Sequence, residues 1–147
     1  MKKVGCFMNI LVIDSQGGGI GREVVKAIKQ SLPDVMVTAV GTNGVATSAM
    51  LRAGANQAAT GENAIVVCSK TADYIIGPVG IVIADAMLGE ITPQMALAIG
   101  QSEAKRILIP VNHCNNIIVG VPDLTIGKLV TSVVAELSED VLRATER

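Results

Sequence analysis

The chain has 147 residues and a formal net charge of −1; half of its residues are apolar, but Phe7 and Tyr74 are its only aromatic residues and it has no tryptophan. A chain of this length buries about 68–70% of its unfolded surface as one domain, so its core has to be built from Val, Ile, Leu, Ala and Met without a metal or disulfide staple. With no excess of positive charge and almost no rings to stack on bases, it is not read as a nucleic-acid binder.

A mean hydropathy of +0.51 suggests that a second copy covers part of the apolar surface, and a homo-oligomer is expected. The most apolar window, residues 74–84, carries two glycines and a proline and is too short to span a bilayer. Cys6, Cys68 and Cys114 are odd in number and lack C-x-x-C spacing, which fits a reducing compartment, so a cytoplasmic location is expected. No metal set is read from the adjacent His113 and Cys114.

Residues 1–7 are read as an extension, and residues 8–147 as a single domain. Ile10–Ile13 is an unbroken β-favouring run, as expected of a strand covered on both faces in a parallel sheet. Asp14 ends it. Ser15-Gln16-Gly17-Gly18-Gly19-Ile20-Gly21 then opens a helix whose apolar positions Val24, Val25, Ile28 and Leu32 share one face. Free N–H groups at such a helix start can hold a phosphate or carboxylate. The same glycines equally serve to pack the helix closely on the sheet.

Two standard fingerprints fail here. G-x-G-x-x-G meets Arg22 or Val24 at its third glycine, and no lysine follows Gly21 as a phosphate loop requires. Ser15–Gly21 resembles the T-G-x-x-x-G-I-G turn of short-chain dehydrogenases, with Ser15 at the first glycine. That family's tyrosine–lysine pair is missing, because Tyr74 is the only tyrosine and has no lysine four residues on.

Val35–Val40 is the second strand. Its end offers no acid for a ribose hydroxyl; Thr42 and Asn43 there suit either a ligand or the cap of a helix over 45–53. Residues 56–59 form a short third strand, and Thr60 is the expected N-cap of the next helix. Residues 64–68 alone pass as strand or helix, and the alternation of elements favours helix. Asp73–Gly77 is the fourth strand, and Ile81–Leu88 a buried helix or extended loop. Asp85 and Glu90 are the acids there, suited to proton transfer or to capping. Thr92-Pro93 opens the helix Gln94–Glu103.

Arg106–Val111 is a fifth strand. It leads through Asn112-His113-Cys114-Asn115 to Ile117–Val121, whose nearness favours a hairpin and an antiparallel edge strand. Pro122-Asp123 begins the closing helix, with its apolar stripe at Leu129, Val130, Val133, Val134, Leu137 and Val141.

These elements predict an α/β domain, a Rossmann-like doubly wound and mostly parallel sheet of five or six strands with helices on both faces. Ligands of such sheets bind at the strands' carboxyl ends. The turns 14–19, 41–44, 77–80 and 112–115 fall there, and they are rich in Gly, Asn, Thr and Ser. The expected ligand is an anionic small molecule, a nucleotide or dinucleotide among the candidates. Its expected contacts are Ser15, Gln16, Gly17, Gly18, Gly19 and Gly21, with Thr42, Asn43, Asn112 and His113 behind them. His113 is the one side chain whose ordinary pKa suits proton transfer near neutrality. The alternative is a non-catalytic oligomeric interaction or regulatory protein with a purely structural glycine turn.

The segments Ile13–Gly21, Gly41–Leu51, Ala53–Asn56, Ala59–Ile65, Gly77–Ile81 and Met87–Pro93 together resemble a bacterial family of small cytosolic proteins of unknown function. The resemblance runs over nearly the whole chain. It implies a Rossmann-like fold and carries no reaction with it.

Overall fold

A computed structural model of the chain describes residues 8–111 and 115–146. Five strands form one sheet: β1 Asn9–Asp14, β2 Met36–Gly41, β3 Gln57–Thr60, β4 Tyr74–Pro78 and β5 Lys105–Ile109. Their order is β3-β2-β1-β4-β5, and every neighbouring pair is parallel. The helices are α1 Gly19–Ser31, α2 Gly44–Arg52, α3 Glu62–Ser69, α4 Pro93–Gln101 and α5 Ile126–Thr145. This is the Rossmann-like α/β architecture that the alternation of elements predicts.

The unbroken apolar run of β1 follows from its central place. Ile10 and Val12 face a core shared with α1, α2 and α5, while Leu11 and Ile13 face a second core shared with α3 and α4. With both faces covered, no position on β1 between Ile10 and Ile13 can be polar without burying an unpaired group. The stripe of α5 lies on the sheet beside α1, with Leu129, Val130, Val133 and Leu137 buried.

Several boundaries differ from the sequence reading. The segment read as an antiparallel strand, Ile117–Val121, is not one. Gly120 sits at φ +82 and the Val121 N–H bonds Ile118 O, so a turn interrupts the run, and Ile117 and Val119 are 91% and 92% exposed. β propensity without a partner strand makes no strand.

Thr60 is the last residue of β3, its hydroxyl paired with that of Thr47; Gly61 is the N-cap of α3. Residues 64–68 are helical, with Ile65 buried. α5 begins at Ile126, capped by the Thr125 side chain rather than at Pro122-Asp123. After β4 comes a 3-10 turn, Val79–Val82, and then irregular chain to α4, so of the two alternatives for residues 81–88, buried helix or extended loop, the loop is the one formed. The expected extension 1–7 and the turn residues Asn112 and His113 lie outside the described residues.

One polar cluster fixes α5 to the sheet. The Tyr74 hydroxyl donates to Asp140 Oδ2 at 2.6 Å, and Lys105 pairs with Asp140 Oδ1. Lys105, followed by the tyrosine's hydrogen bond, holds the Asp140 carboxyl below its ordinary value. Desolvation, reinforced by Asp140, pushes the Tyr74 phenol up. Tyr74→Phe removes this donor and is expected to cost about 1 kcal/mol. Calorimetry should then place the melting temperature about 2–4 °C below that of the unaltered chain.

Candidate functional site

Because all five strands are parallel, the turns after β1, β2, β4 and β5 open on one edge of the sheet. The turn after β1 is set by Asp14, which is 4% exposed. Its carboxylate accepts the Ser15 N–H at 2.8 Å and the Gly21 N–H at 2.7 Å, closing the chain into the start of α1. Burial raises the pKa of this carboxyl above its ordinary value, against the two N–H bonds that lower it, and nearby Glu90 adds to the rise.

The glycines of this turn fall into two groups. Gly18 stands at φ +71, and a Cβ on it would come within 2.7 Å of the Ala46 Cα in α2; a Cβ on Gly21 would lie 2.5 Å from Met50 Sδ and 2.9 Å from Asp14 Cβ. Their N–H groups are also engaged, that of Gly18 by Ser15 O and that of Gly21 by Asp14. These two glycines pack α1 against its neighbours. Gly17 and Gly19 differ, since a Cβ on either meets nothing within 4 Å. No hydrogen bond from the N–H groups of Gly17, Gly19 or Ile20 is found among the described residues.

Those groups line a cleft of about 680 Å³ between the β1 turn, the chain after β5 and the start of α5. Its other wall is largely apolar, with Val111, Val121, Leu124, Ile126 and Leu129. Its described lining contains Asp14 and Asp123 but no lysine or arginine. The arrangement offers backbone donors at the positive end of a helix, with no lysine or arginine beside them among the described residues.

Ser15, Gln16, Thr42 and Asn43 are drawn into a different contact. The Ser15 hydroxyl donates to Met87 Sδ and is buried. Glu90 Oε1 accepts from Asn43 Nδ2 at 2.7 Å and from Thr42 Oγ1 at 2.9 Å, and the Gln16 N–H bonds both carboxylate oxygens at 3.1 and 3.2 Å. Desolvation acts to raise the Glu90 pKa, but these hydrogen bonds outweigh it and hold the carboxyl below its ordinary value. Asn43 also caps α2, its Oδ1 accepting the Ala46 N–H at 2.9 Å. Of the two roles expected for Asn43 the cap is formed, and its amide bonds a carboxylate of the protein itself.

The sequence marked Glu90 as an acid suited to proton transfer or to capping; nothing in its spacing says that it reaches the end of β2. Asp14 was visible only as the end of a strand. Its role depends on Gly21 returning to it seven residues later, after the turn.

None of the curated proteins matches this chain. Among solved structures it is similar to a dodecameric FMN-dependent Ubix-like decarboxylase from Escherichia coli O157:H7, with 15% sequence identity over 90% of this chain and 93% of that one and a TM-score of 0.45. A family model described as "Domain of unknown function (DUF3842)" matches residues 9–142, from the first residue of β1 into α5. The chain belongs to that family.

Proposed function

We propose that this protein binds a small anionic ligand, a nucleotide or other phosphorylated molecule, through the N–H groups of Gly17, Gly19 and Ile20. The uncharged part of the ligand lies against Val111, Leu124 and Ile126. The observation that carries this reading is the division within one turn: Gly18 and Gly21 are filled against neighbouring atoms, while Gly17 and Gly19 face open space. Packing accounts for the first pair and leaves the second without a structural reason. The cleft volume falls in the usual range for small-molecule sites. A helix N-terminus favours negative charge. With Asp14 and Asp123 and no lysine or arginine in the described lining, a singly charged phosphate or diester suits the cleft better than a triphosphate.

A thermal-shift screen with nucleotides, dinucleotides and phosphorylated metabolites tests it. A ligand present at 100 times its Kd adds about 2.7 kcal/mol, or about 5–10 °C for a chain of this size. Gly19→Val is expected to abolish that shift while keeping the circular dichroism spectrum of the unaltered chain. A shift that survives in Gly19→Val sinks the assignment of the turn.

A second reading draws on the exposed apolar side chains Ile117 and Val119, with Val121, Leu124 and Ile126 near them. In it the chain works as an assembly of copies, the glycine turn is structural throughout, and none of these compounds changes the melting temperature.

A further inference from the structure

Three donors converge at the carboxyl ends of β1 and β2: the Gln16 backbone N–H, the Thr42 hydroxyl and the Asn43 side-chain amide. They come from two separate turns and all bond one carboxylate, that of Glu90. No lysine or arginine joins the group, and no salt bridge involves Glu90 among the described residues. Glu90 itself arrives on a segment with an unusual backbone. Asp85, Met87 and Leu88 stand at φ +63, +56 and +58, followed by Gly89 at +87, a region that L-residues other than glycine rarely adopt. On one side of its tip Met87 is buried, and on the other Ile91 is fully buried; Leu88 between them is 99% exposed. The strained backbone thus lies between two fixed points and holds one acidic side chain over a ready-made set of donors.

We propose that the pocket formed by Gln16, Thr42 and Asn43 is a subsite for a carboxylate group of a small-molecule ligand, and that Glu90 fills it when no ligand is present. The chemistry of the pocket selects a carboxylate. Its donors are neutral, so a single negative charge is satisfied by three hydrogen bonds, whereas a doubly charged phosphate lacks a counter-charge. Asp14 lies near enough for its carboxyl to feel Glu90, which weighs further against added negative charge. The subsite uses none of the N–H groups assigned to the phosphorylated ligand, so it stands or falls independently of that reading.

The test uses the full chain and sodium acetate at constant ionic strength. Glu90→Ala empties the pocket and leaves its donors unpaired, so its melting temperature is expected to fall below that of the unaltered chain. Acetate should restore most of the difference in a saturable way and leave the unaltered chain unmoved, because its own carboxylate already occupies the site. In Glu90→Ala combined with Asn43→Asp the restoration should vanish. Aspartate still caps α2 but offers no amide donor. Inorganic phosphate should restore less than acetate does. A folded Glu90→Ala variant that ignores acetate overturns the proposal, and so does restoration that persists with Asn43→Asp. A stronger effect of phosphate overturns the assignment to a carboxylate. If Glu90→Ala does not fold, Glu90→Ser, which likewise removes the carboxylate and leaves a side chain too short to fill the pocket, takes its place with the same readout and the same deciding outcomes.

Discussion

Gly18→Ala is expected to lower the stability of the fold by about 2–5 kcal/mol, while Gly19→Ala, one residue further on, leaves it unchanged or raises it by a few tenths. The two substitutions add the same methyl group to the same turn. At Gly18 the backbone is left-handed, and the methyl would sit 2.7 Å from the Ala46 Cα and 3.0 Å from its carbonyl oxygen. Both contacts are with backbone, so no side chain can turn aside and α1 has to move away from α2. At Gly19 there is space, the residue is the first of α1, and alanine lowers the entropy of the unfolded chain. Urea unfolding with an unchanged slope would measure both. The expected loss at Gly18 is a large part of the 5–15 kcal/mol that holds a typical domain together. Equal midpoints for Gly18→Ala and the unaltered chain would mean that α1 and α2 do not meet as described.

Asp14→Ala is expected to cost about 2–4 kcal/mol, because it strands the Ser15 and Gly21 N–H groups that the carboxylate now satisfies in a buried place. The loss should also depend on pH, in a direction that identifies its cause. Burial lifts the Asp14 pKa in the folded chain above its ordinary value of 3.8. A carboxyl shifted that way contributes most below its unfolded pKa, and the contribution declines as pH rises through the raised folded value. The difference in stability between the unaltered chain and Asp14→Ala should therefore be larger in acid than at neutrality. Glu90 shifts in the opposite sense. Its contribution is present above its ordinary 4.5 and is lost as pH falls through its lowered folded value. Chemical unfolding of both chains across this range separates the two, and a difference that grows from acid to neutrality would contradict the burial of Asp14.

Much of the fold is legible in the sequence because each central element carries its own local signal. Ile10–Ile13 reads as a strand covered on both faces, since two-sided burial leaves no polar alternation, and the stripe of α1 follows at helical spacing. The alternation of elements settles residues 64–68 as helix where composition leaves them open. The combined turn motifs suggest a family of unknown function, and the family model agrees.

What is not legible depends on contacts between distant residues. Ile117–Val121 has the composition of a strand, but whether it pairs is decided by Gly120 and by a neighbour that no local pattern reveals. The Glu90 contact joins residues 74 and 47 positions apart, and it requires four positive φ values in the strap that carries it. Thr42 and Asn43 could be picked out as polar groups at the end of β2. The identity of the group they hold could not.

The outer edge of β5 has a consequence for how the protein survives at high concentration. Beyond β5 the described sheet has no further strand, so this edge presents backbone groups to which an extended segment of another molecule could add. Lys105 and Arg106 stand at its start and are exposed. Lys105 is tied to Asp140, and Arg106 donates to the carbonyls of Ile99 and Ser102 at the end of α4. Each long cation is thereby tied to a helix that covers one face of the sheet, and the charged start of this edge strand disfavours the addition of an incoming strand. The same two side chains that close off α4 and α5 thus make the edge a poor template for aggregation.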